Sequence, residues 1–116
     1  MLEVKESSGP AKITEKTLKF KELVAYQEGS VVSRTLINEH GGSVTVFAFD
    51  EGQRLSEHTA PYDALVFAME GRVEITISGN VFNLNEGEML IMPANKPHAL
   101  KALTKFKMLL IMIRGA

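Results

Sequence analysis

The chain has 116 residues, 45% hydrophobic and 23% charged, with 13 basic against 14 acidic side chains for a formal charge of −1. That length suits one globular core, and the even charge balance provides no field for capturing a phosphate backbone, which argues against nucleic acid as a partner. The absence of cysteine rules out disulfides, a thiolate nucleophile and zinc ribbons, and makes a cytoplasmic address the simplest expectation.

Residues 1–15 are polar, with Ser7, Ser8, Gly9 and Pro10 together, and read as a loose arm carrying a short strand at 2–4. No apolar signal core stands in it. Such an arm is suited to pairing with a second subunit, and residues 16–116 are expected to form the single folded domain. The stretch 18–26, LKFKELVAY, fits either a strand or a short helical turn, and we expect a strand followed by a turn at 28–30. Residues 31–38 are rich in β-branched side chains, 39–42 read as a turn, and 43–50 as the return strand of a hairpin. His40 lies in that turn, where a solvent-exposed role is expected.

Further along, 64–69 is continuously apolar, and 72–78 alternates so that Val73, Ile75 and Ile77 share one face while Glu74 and Thr76 share the other. Gly79-Asn80 is expected to be a two-residue hairpin loop, with 81–84 as its return strand. A turn at 85–87, a strand at 89–92, a turn at 93–97, and strands from 98–103 and 106–113 complete the chain. The longest apolar runs, 64–69 and 108–113, are far too short to cross a bilayer as helices. Many short strands punctuated by glycine and proline predict an all-β sandwich or barrel. Met69, Met89, Met92, Met108 and Met112 read as core filling, and Phe47, Phe49, Phe67, Phe82 and Phe106 as core or pocket lining. A soft-metal site built from Met92 and Met108 beside the histidines is a lesser alternative. Arg34, Arg54, Arg72 and Arg114 are dispersed, as surface arginines usually are.

Two stretches organise the rest: GQRLSEHTAPYDALVFAMEG from Gly52 to Gly71, and GEMLIMPANKPHALKA from Gly87 to Ala102. They resemble the two motifs of the cupin superfamily, whose members fold as a small jelly-roll β-barrel. In that family the first motif runs glycine, five residues, His-x-His, three or four residues, glutamate, six residues, glycine. Here Gly52, His58 and Gly71 match, while the second histidine falls on Ala60 and the glutamate on Ala64. In the second motif Gly87, Pro93 and His98 match, whereas Asn95 stands for a glycine and Ala102 for an asparagine. Asparagine tolerates the left-handed backbone that such a turn needs.

The resemblance implies a site of three imidazoles and a carboxylate around divalent iron, manganese, nickel, copper or zinc. His58 and His98 supply only two nitrogens of that set. A third ligand would have to come from Asp63, Glu57 or a bound substrate, and Asp63 sits one residue before the glutamate position, which on a strand points it to the opposite face. Alanine at 60 and 64 would instead enlarge and dry the pocket. The reading that follows is a cupin-like barrel, a homodimer, with a pocket lined by His58, Ala60, Ala64, Met92 and His98 that binds a small, mostly apolar organic molecule. Two other readings stand beside it: an enzyme, either a metal-assisted dioxygenase or isomerase or a metal-free acid and base catalyst, and a dimerisation module with a vestigial pocket.

Overall fold

Alternation of apolar and polar residues separates the chain into two sheets in the computed structural model, which describes residues 4–6 and 13–115. The strands are β1 (Val4–Glu6), β2 (Val31–Glu39), β3 (Gly42–Phe49), β4 (Arg54–His58), β5 (Asp63–Glu70), β6 (Val73–Ile77), β7 (Asn80–Leu84), β8 (Met89–Met92), β9 (His98–Ala102) and β10 (Phe106–Ile113). One sheet has the order β1-β2-β3-β10-β5-β8 and the other β4-β9-β6-β7. Every pairing is antiparallel except β1 with β2. The main core draws Val31, Phe49, Val66, Phe106 and Met108 from the larger sheet and Val73, Ile75, Leu84 and Leu100 from the smaller. This is the expected two-sheet jelly roll.

Val73, Ile75 and Ile77 are buried together, as their alternation requires. The hairpin that follows differs by one residue from expectation. Its two-residue loop is Ser78-Gly79, both with positive φ (49° and 84°), and Asn80 already pairs with Ile77. A primed turn needs left-handed backbone at both loop positions, and glycine takes the second of them, as in the Asn-Gly pattern. Val81 and Phe82 are exposed on this edge strand, so Phe82 is neither core nor pocket lining. Met89 is also exposed, on the outer face of edge strand β8, and does not fill the core.

Residues 18–26 do not form a strand. They contain one 3₁₀ turn, Phe20–Glu22, and lie against the outer face of the larger sheet. Side chains of the sheet take the place of a neighbouring strand. Lys107 Nζ donates to the Lys21 carbonyl at 2.6 Å and Arg34 to the Leu23 carbonyl at 3.3 Å. Val24 packs with Val32, Val46, Ala48 and Met69, and Tyr26 donates to Glu70 at 2.5 Å. Lys107 also lies over the Tyr26 ring, 4.8 Å from its centroid. Burial raises the Tyr26 pKa, and the hydrogen bond and charge of Glu70 raise it further. Of the N-terminal arm, β1 and residues 13–15 are described, and β1 pairs with β2 of the same chain. Leu2 and Ser7 to Pro10 lie outside the described residues.

Candidate functional site

Strand β4 is the element that assembles the site. Leu55 opposes Leu100 and His58 opposes His98 on β9, so Ser56 and Glu57 together face the single residue Ala99. That bulge cancels the odd spacing of Leu55 and His58 and sets both on the inner face. On β9 simple alternation does the same for His98 and Leu100, which are both buried.

The two imidazoles meet edge to face, with centroids 4.3 Å apart and the Nε2 atoms 3.0 Å apart. His58 Nδ1 lies 2.8 Å from the Ser56 carbonyl oxygen and His98 Nδ1 lies 3.2 Å from that of Lys96. Carbonyls only accept, so each Nδ1 carries a hydrogen and each neutral ring is left with a lone pair on Nε2. Three contacts require three positive centres, and two neutral imidazoles bring two hydrogens. The pair is therefore one hydrogen short of satisfying all three contacts.

Protonation of His98 is opposed. Burial is the main cause that lowers the pKa of His98, the charge of His58 adds to it, and the Lys96 carbonyl works weakly against both. The sign follows directly. An unfolded imidazole takes up protons near pH 6.5 while folded His98 resists, so folding stability is fully present above that pH and declines as pH falls below it. Denaturant midpoints measured from about pH 8 to 5 are expected to fall, and His98→Asn to flatten the profile. An unchanged slope in the variant would assign the pH dependence to other groups.

All five pocket residues named from the sequence, His58, Ala60, Ala64, Met92 and His98, line one cavity of about 50 Å³. Leu55, Leu100, Met108, Leu110 and Met112 complete it. Three of its lining side chains are methionines, Met92, Met108 and Met112. Four of the five additional residues follow from alternation, counting in twos from His98 to Leu100 and from Met108 through Leu110 to Met112, whereas Leu55 is brought in by the β4 bulge. Outside it lies a wider vestibule of about 660 Å³ that shares Leu55, His58, Leu110 and Met112 with the inner cavity and adds Val4, Glu6, Ser33, Thr45 and Phe47. None of the four arginines lines either space, and His40 is exposed in the β2–β3 turn.

The donor set does not fit the divalent ion that the motif resemblance implies. Among the described residues no three histidine, cysteine, aspartate or glutamate side chains come together. Asp63 turns to the 93–97 turn, where its carboxylate accepts from the Ala94 N–H at 2.8 Å, and Glu57 sits at the exposed bulge. That turn is the one in which Asn95 replaces glycine. It has φ 64°, and its N–H donates to the Ala60 carbonyl at 2.8 Å.

The family model for the cupin domain matches residues 45–114, more than half of the chain. The chain belongs to the cupin family. Among solved structures, this cupin is similar to a conserved protein of unknown function from Streptococcus pyogenes, at 36% identity and TM-score 0.84, covering 88% of this chain and 90% of that one. A cupin 2 conserved barrel domain protein from Leptotrichia buccalis is similar at 41% identity and TM-score 0.78, over 81% of this chain and 46% of that one. A curated relative, the polyketide synthase CurC of Streptomyces cyaneus, is 38% identical over 48 residues, 40% of this chain and 31% of that protein's length.

Proposed function

We propose that this cupin binds a small, mostly apolar organic molecule whose tip enters the inner cavity and whose body rests in the vestibule, with His58 and His98 as orienting groups. The observation that carries the reading is the wall common to the two spaces. An inner cavity of about 50 Å³ holds little more than a short alkyl end, but the adjoining 660 Å³ is of ordinary ligand size. Apolar side chains dominate the inner lining, and the histidine pair is its polar element.

A titration with 1-hexanol followed by amide NMR tests this. Shifts are expected at His58, His98 and Leu100, and Ala64→Leu, which fills the inner cavity, is expected to weaken binding by about tenfold or more. Shifts scattered over the outer sheet faces would remove the reading. A homodimer is part of the same proposal, supported by the open edge at β8, where Met89 and Ile91 are 53% and 57% exposed; gel filtration checks it.

A further inference from the structure

The charged groups on the vestibule wall are all of one sign. Its lining residues include two carboxylates, Glu6 on β1 and Glu57 on β4, and no lysine or arginine, and His58 is the one other titratable side chain there. Strand β1 carries the first carboxylate inward: Val4 packs against the core, and Glu6 follows two residues later on the same face, opposite Ser33 on β2. Ser33 is 5% exposed, and its hydroxyl donates to Glu6 Oε2 at 3.4 Å, so what remains for a ligand is its oxygen lone pairs. Thr35 and Thr45, paired across β2 and β3, add two more hydroxyls, and Phe47, paired with Ser33, adds an aromatic ring.

We infer, resting on the apolar-ligand reading above, that the ligand of this pocket is an organic amine, with its ammonium in the vestibule beside Glu6 and Glu57 and its alkyl end in the inner cavity. Every group on that wall with a fixed role accepts hydrogen bonds or attracts positive charge. Carboxylates only accept, whereas an ammonium brings three donors and no acceptor. The histidine pair, one hydrogen short, is an acceptor too. Charge-assisted hydrogen bonds are stronger than neutral ones, and an aromatic face attracts a cation as well. A carboxylate or phosphate head group would meet two like charges and no counter-charge, so acids of the same length are disfavoured. A bare metal cation fits the place less well. Among the described residues no three carboxylate or imidazole side chains come together to hold one, whereas a space of about 660 Å³ joined to an apolar cavity suits an organic cation with a hydrocarbon tail.

Three compounds with the same chain and different head groups, hexylammonium chloride, 1-hexanol and sodium hexanoate, are titrated at neutral pH and low salt and followed by amide NMR. The amine is expected to bind about tenfold more tightly than the alcohol, and the carboxylate more weakly than either. Its tail should shift Leu100 and its ammonium Glu6 and Ser33. Glu6→Gln with Glu57→Gln alters two exposed side chains and keeps their size, and is expected to bring the amine and the alcohol within about twofold of each other. Alcohol binding at Leu100 without a preference for the amine, or a preference that survives the double variant, would overturn the amine assignment and leave the apolar-ligand reading standing. No shift at Leu100 with any of the three would remove that reading, and the amine with it.

Discussion

Ala60→His combined with Ala64→Glu is expected to turn a pocket with two imidazoles into one that keeps zinc or manganese through dialysis. Both positions line the inner cavity with His58 and His98, and Ala64 is 5% exposed, so new side chains there have little alternative but to face the imidazoles. The Ala60 backbone is pinned by the hydrogen bond from Asn95, which keeps a histidine at 60 from swinging away with its loop. Without metal the buried glutamate is expected to cost about 2–3 kcal/mol, because a carboxyl placed among methionines has lost its water. Metal in large excess over its dissociation constant returns about 4 kcal/mol by mass action. The melting temperature of the double variant should therefore lie about 10 °C below that of the unaltered protein and rise by about 15 °C when zinc is added, while the unaltered protein moves little. A variant that melts lower but does not respond to metal would show that the barrel no longer holds the four positions in ligating geometry.

Gly71→Ala is expected to be the most disruptive exchange outside the core. Gly71 links β5 to β6 with φ 80°, where side chains are strained, and a Cβ there would drive into the Lys105 carbonyl oxygen and stand 2.7 Å from Thr104 Oγ1. Neither obstacle yields easily. Thr104 accepts from the Arg72 N–H at 3.0 Å, and the Arg72 carbonyl accepts from the Leu103 N–H at 3.0 Å, so the two turns are locked together. Strain and overpacking together amount to about 3 kcal/mol or more, a fall in melting temperature of about 10 °C or more. Gly87→Ala is the control. Its φ of 88° is equally unusual, yet a Cβ there meets nothing within 4 Å, and about 1 kcal/mol is expected. Equal losses at the two positions would mean that backbone conformation alone sets the cost at Gly71.

The residues that place the fold in a family were legible because they are local. Gly52, Gly71, Gly87 and Pro93 mark turns, and turn chemistry is read from one or two residues at a time. The five pocket residues came from laying the motifs of the resembled family on those turns, and the structure brings the five to one cavity. Strand β4 was not legible, because its bulge breaks the alternation by which a strand is recognised, and an even count from Leu55 lands on Glu57 and not on His58. Residues 18–26 were misread as a strand because the partners of their carbonyls, Arg34 and Lys107, are far away in sequence. The placing of Met92 and Met112 on either side of Ala64 depends on register across three strands, which no single stretch contains. Phe82 and Met89 failed differently: their apolar character suggested burial, and edge strands leave apolar side chains outside.

The position of β10 bears on the order in which this protein takes shape. It comes after every other strand in the chain, yet it lies between β3 and β5 in the larger sheet. Until Phe106–Ile113 has left the ribosome, β3 and β5 have no bridge, the β2–β3 hairpin stands apart from the β5–β8 pair, and Met108 and Phe106 are missing from the core. Folding during synthesis is thereby held back until this strand has emerged, and through that interval the unpaired edges of β3 and β5 are open to other chains.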